Sequence, residues 1–204
     1  MAATGSMNST AMVMMGIQHD HFADDAPIRS MLDDSDRIDT VKRRVLNAAA
    51  ELARSGVTLI HVPIAFEPGH AEITQSVGIL SVIKSLGLFE LGSMGARPIP
   101  ELDSLGDGLL TLSGRTGFNA FRGTNLDEVL SDREVSRILL AGASTAACID
   151  STARIAYELG YEVVILHDCV VSRTHSEHEL FCGTIFPQYA TVQSADEFIK
   201  PDEQ

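Results

Sequence analysis

Cysteine is scarce in this chain. Only three occur, at positions 148, 169 and 182, and no two form a CxxC pair. An odd number at such spacings excludes a disulfide framework and a cysteine-pair metal site, so reduced thiols are the default. Basic side chains are also few, 15 against 28 acidic ones, for a net charge of -13. Such a surface repels phosphate backbones and anionic lipid, which argues against nucleic acid and membrane as partners. No apolar run approaches the roughly 20 residues needed to span a bilayer. The opening MAATGSMNST has no basic n-region and no long apolar stretch, so no secretory signal is read there and a cytoplasmic location is expected. Internal repeats and low-complexity linkers are missing as well. One domain is therefore expected over 1–204, with 1–10 set aside as a disordered or tag-derived leader. What remains is globular: 45% hydrophobic and 21% charged over 204 residues, long enough for one well-buried core.

Short aliphatic runs alternate with amphipathic stretches. AMVMMGI (11–17) reads as a buried first strand. Over 37–56, Ile38, Val41, Val45, Ala48, Ala49 and Leu52 share one helical face, and Gly56 ends the helix. Strands follow at 57–66, 108–114, 136–143 and 161–168, with a last short strand and turn within 190–198. Helices are expected at 76–86, 125–132, 145–160 (Ala146, Ile149, Ala153 and Ala156 inward) and 175–186. The alternation predicts a three-layer α/β/α domain of Rossmann-like type, with a mostly parallel sheet of about six strands. Ligands of such sheets sit beyond the carboxyl ends of the strands, which directs attention to 16–22, 63–70, 114–119, 142–148 and 167–175.

AGASTAACIDSTARI (141–155) carries the chain from a strand end through small residues to Cys148, in the first turn of a helix. Unpaired N–H groups and the helix dipole favour an anion there, which suits a thiolate nucleophile. A lone cysteine packing helix against sheet is the plain alternative.

Other strand ends weigh on that choice. GASTAACIDSTARIAYELGY, GRTGFNAFRGTNLDEVL (114–130) and MVMMGIQHDHF (12–22) together resemble the nucleophile region, the lysine segment and the first strand of isochorismatase-like cysteine hydrolases. The resemblance implies a Cys, Lys and Asp at work: the Cys attacks a carbonyl carbon, the Lys steadies the thiolate, and the Asp moves the proton. Carried over, the cysteine is Cys148 and the lysine position holds Arg115. The aspartate position holds Gly16, which has no side chain, and QHDHF carries one residue more between Asp20 and Phe22 than the family's Q-x-D-F. The resemblance also implies an oxyanion site from the backbone N–H groups of Ser144 and Cys148, beside a cis Ala143–Ser144 bond. It places Gly16, Gln18, Asp20, Phe118, Phe121 and Ala143 at the pocket, and Asp168 at a strand end that shapes it.

Arg115 stays protonated and cannot serve as a base, but its forked donors can hold an anion. Three readings of the lost carboxylate stay open: His19, Asp20 or His21 substitutes for it; the emptied floor admits a bulkier substrate; or turnover has been lost. The resemblance implies a cysteine hydrolase with a degenerate triad acting on a small carbonyl, ester or enol-ether metabolite, including non-amidase or specialised chemistry. The alternative is a non-catalytic small-molecule-binding or partner-binding protein of the same fold. A small-molecule substrate, no cofactor and a homo-oligomer are expected. His61, Glu67 and His70 offer too few ligands for a metal, and His61 is read as a satisfied core histidine. Cys169 and Cys182 are read as packing.

Overall fold

The computed structural model describes residues 6–200. A 3-10 turn at Met7–Ser9 leads directly into the first strand, β1 (Thr10–Met15). Thr10 is fully buried and Met7 packs on the core. Residues 6–10, set aside by sequence as leader, therefore belong to the fold; residues 1–5 and 201–204 lie outside the described residues.

After β1 come the single turn α1 (His19–Phe22), a 3-10 turn at Pro27–Met31, α2 (Asp36–Arg54) and β2 (Thr58–Val62). Then follow α3 (Gly78–Leu86), a kinked 3-10 segment at Pro100–Gly108, β3 (Leu109–Thr111) and α4 (Leu126–Asp132). β4 (Arg137–Ala143) enters a π-helical turn, Thr145–Ile149, that continues as α5 (Asp150–Glu158). β5 (Glu162–Val171), α6 (His175–Leu180), a second π turn at Phe181–Ile185, β6 (Thr191–Gln193) and α7 (Ala195–Ile199) complete it.

All six strands are parallel, in the order β3-β2-β1-β4-β5-β6. The sheet divides the core in two. On one face α2 buries the six residues its spacing marked, Ile38, Val41, Val45, Ala48, Ala49 and Leu52, against Met12, Met14 and Leu139. On the other, Ile149, Ala153 and Ala156 pack on Val13, Ile60 and Leu140. Ala146 does not join them: it is exposed and lines a cavity. The π turn adds a residue to the helix entrance and shifts the inward face onto Thr145 and Cys148.

The strand order reverses between β1 and β4, so the connections that leave their carboxyl ends run to opposite faces of the sheet and open a crevice between them. Their tight approach depends on Gly142, whose φ is +112° and whose Cβ, if present, would lie 2.1 Å from the Met15 carbonyl oxygen. β5 runs three residues past its expected end because an irregularity in register between Leu140 and Gly142 lets pairing resume at Val170 and Val171. Asp168 is consequently inside the strand, accepting from Ala195 N–H (2.9 Å) and lying 3.8 Å from Arg44. It anchors α7 and does not shape the crevice.

Candidate active site

Two chain reversals place the chemistry. After β1 the backbone at Gly16 turns left-handed (φ +63°), its N–H donating to Val62 O and its carbonyl receiving Gln18 N–H at 2.8 Å. After β4 the Ala143–Ser144 peptide is cis, and the π turn brings Cys148 to the crevice wall. Cys148 is buried apart from its face on a cavity of about 620 Å³. Ala143, Ser144, Phe118 and His21 share that wall.

Behind Cys148 lies Arg115, wholly buried. Its Nε and Nη1 each donate across 3.3 Å, to Pro63 O and Phe118 O, and its Nη2 has no hydrogen-bond partner among the described residues. Desolvation pushes the guanidinium pKa down, and the Coulombic pull of the nearby Cys148 acts in the opposite sense. Among the described residues no buried carboxylate accompanies it. A cation so placed, with Nη2 unengaged, is suited to a sulfur anion.

The space over Gly16 is filled. A Cβ there would lie 2.9 Å from Cε1 and 3.0 Å from Nδ1 of His21. This His is the extra residue between Asp20 and Phe22. Its Nδ1 is 2.9 Å from Gly16 O; a carbonyl only accepts, so the proton sits on Nδ1 and Nε2 carries a lone pair. Phe89 lies against the ring, with centroids 4.5 Å apart. Burial first, and the Arg115 charge second, push the His21 pKa down to about 3, the bond to Gly16 O opposing them. The expected enlargement of the pocket floor at Gly16 is thus corrected: an imidazole occupies it. Of the three neighbours considered, His21 alone lines the cavity; His19 is half-exposed.

Three other expectations are corrected. Gln18 is fully buried and spends its amide on Ile64 and Ala96, its Nε2 donating to both carbonyls (2.8 and 2.7 Å) and its Oε1 accepting from Ile64 N–H (2.9 Å). It clamps β1 to the following loops and does not face the cavity. Asp20 accepts from Phe89 N–H at 2.6 Å, tying α1 to the segment that carries the Phe89 ring. Phe121 turns away and stacks on Tyr161 at 6.2 Å.

The backbone donors differ from expectation as well. Cys148 N–H donates to Ser144 O at 2.9 Å within the π turn, so it is engaged, whereas no hydrogen bond of Ser144 N–H is found among the described residues. Thr145, buried beneath, accepts from Ser172 Oγ at 2.7 Å and steadies the turn.

The remaining thiols and histidines lie elsewhere. Burial pushes the Cys169 thiol pKa well up and that of Cys182 up to about 11. His61 is buried, yet neither ring nitrogen has a partner among the described residues, against the satisfied state expected. His70 Nε2 contacts Leu88 O at 2.7 Å. Among the described residues no three His, Cys, Asp or Glu side chains gather at metal-binding distance. None of the helices described is long and apolar enough to cross a membrane.

Residues 10–197 match the isochorismatase domain family, and the chain belongs to that family. It is 33% identical over 114 residues to the isochorismatase family protein YwoC of Bacillus subtilis, covering 56% of this chain and 59% of that protein. It is 33% identical over 84 residues to the ureidoacrylate amidohydrolase RutB of Agrobacterium fabrum, covering 41% and 33%. The alignments to these curated relatives thus span between a third and three-fifths of their length. In three dimensions it superposes on an isochorismatase family protein from Desulfovibrio vulgaris with a TM-score of 0.79 at 25% identity, covering 93% of this chain and 96% of that one.

Proposed function

We propose that the protein is a cysteine hydrolase that cleaves a small carbonyl compound, amide or ester, through a Cys148 acyl-enzyme, with His21 in place of the family's carboxylate. One observation carries the reading: Cys148 lines a cavity that His21 also lines, and the buried Arg115 guanidinium stands behind the sulfur. Similarity to an amidohydrolase supports the reaction class.

The sulfur attacks the carbonyl carbon, forming a C–S bond, and the bond to the leaving group breaks. Arg115 holds the sulfur as an anion. His21 Nε2 receives the thiol proton and passes it to the departing nitrogen or oxygen. Burial first and the Arg115 charge second disfavour an imidazolium, so His21 does not store the proton: its transfer from sulfur to the departing atom accompanies formation of the C–S bond. Water then gives its proton to the same lone pair, adds to the thioester and returns the sulfur. Ser144 N–H is the backbone donor left for the oxyanion.

Alkylation by chloroacetamide expels chloride, which needs no proton; amide cleavage does. Chloroacetamide is expected to modify Cys148 at least ~10-fold faster than Cys182 or Cys169, whose thiols burial keeps protonated. In a panel of amides and esters, Cys148→Ser should abolish turnover. His21→Ala should lower amide turnover by about 10² to 10⁴ while alkylation of Cys148 falls far less. Equal labelling of the three thiols, or full turnover in His21→Ala, overturns the proposal.

A further inference from the structure

The cavity in front of Cys148 is walled unevenly. Its catalytic side holds the polar groups, His21 and Ser144. The rest of the lining includes α3 and the Pro27–Met31 turn with the residue after it, which contribute Ile79, Val82, Ile83, Ile28, Met31 and Leu32. None of these six side chains carries a hydrogen-bond donor, and the only acceptor among them is the weak thioether of Met31. The charged residues on the lining are Arg173, exposed, and Glu177, whose carboxylate accepts from Arg173 N–H at 3.0 Å. Both belong to the α6 side of the opening.

A substrate whose body carried a carboxylate or several hydroxyls would lose their hydration against this wall and find no partner for them. An apolar body instead releases water from both surfaces. The volume, about 620 Å³, lies in the range of pockets that enclose most of a drug-sized molecule. From this asymmetry we infer that the substrate is an amide or ester with an uncharged aromatic or branched aliphatic body of several carbons. That body rests on α3 and the Pro27–Met31 turn while its carbonyl meets Cys148. The inference rests on the Cys148 reading above and deepens it.

The test uses the whole protein and measures second-order rate constants for Cys148 modification by chloroacetamides, each divided by its rate with glutathione. The probes are the parent compound and its N-butyl, N-benzyl and N-carboxymethyl derivatives. Burial of apolar carbon favours binding by about fourfold per methylene, so the N-butyl and N-benzyl probes should exceed the parent by at least ~30-fold, and the N-carboxymethyl probe should fall below it. Val82→Gln and Met31→Gln, both at half-buried positions on the wall, should each bring the benzyl-to-parent ratio back toward one. A flat series, or preference for the carboxymethyl probe, overturns the substrate class while Cys148 selectivity still stands. Cys148 labelled no faster than Cys182 by every probe would instead overturn the catalytic reading beneath it. An apolar preference that survives both glutamine variants would mean that another surface, such as a second copy of the chain, supplies the contacts, and would also overturn the inference.

Discussion

At the scale of single residues, the site turns on an exchange between positions 16 and 21. Gly16 is left-handed at φ +63°, and the His21 ring stands where its side chain would go. A carboxylate cannot simply be restored there. In Gly16→Asp, the new Cβ meets the imidazole at 2.9 Å, and a non-glycine residue in this backbone region carries about 1–3 kcal/mol of strain. The variant should be destabilised by at least that much, read as a fall in the urea midpoint of unfolding. Gly16→Asp combined with His21→Ala opens the space. A double-mutant cycle by urea unfolding should then show a favourable coupling of about 1–3 kcal/mol, whereas strict additivity would mean that the two side chains do not compete for one volume.

At the scale of elements, the β1–β4 junction leaves no room for a side chain at Gly142. Gly142→Ala puts a methyl group against the Met15 carbonyl at a φ of +112°, and neither neighbour is a flexible side chain. A loss of about 3 kcal/mol or more is expected, seen as a fall of about 6–12 °C in Tm for a domain of this size; an unchanged melting curve would contradict the close approach. Elements of this kind were readable from sequence in proportion to how far their residues obey one period. The six inward residues of α2 follow from 3.6-residue spacing, and β4 from a run of apolar residues buried on both faces. Cys148 and Arg115 are candidates in the sequence because each stands beside a strand end with a recognisable neighbourhood. His21 was only one of three choices, since its role depends on the left-handed turn at Gly16 and on the Phe89 ring, neither visible as a pattern. The stretch between β2 and β3 was the least legible. It folds over its own small core of Ile64, Phe66, Ile73, Ile83, Leu88 and Phe89, made by irregular backbone, including Phe89 at φ +57°, that has no period to read. Gln18 and Asp20 were misjudged for the same reason: the loops they fasten, at Ile64, Ala96 and Phe89, come from that stretch.

At the scale of the whole molecule, burial of histidines sets the response to acid. His21 and His61 are held near a pKa of about 3 and His178 near about 4, in each case first by desolvation, against about 6.5 in an unfolded chain. Between those values the unfolded chain binds protons that the folded protein refuses, so stability rises with pH across the window and is lost as pH falls from about 6.5 toward 4. Each group contributes a slope of about 1.4 kcal/mol per pH unit once the unfolded imidazole is protonated. Three together approach about 4 kcal/mol per unit near pH 5, partly offset by Asp20, whose pKa burial raises. His61 isolates the effect, because both its ring nitrogens lack partners among the described residues and it does not line the cavity with Cys148. In His61→Leu the slope of unfolding free energy between pH 4.5 and 6 should fall by one proton, about 1.4 kcal/mol per unit, while the Cys148 labelling rate at pH 7 stays as in the parent. An unchanged slope would mean that His61 takes up its proton inside the folded protein, and that the charge beside it, Arg115, is screened far more than its burial implies.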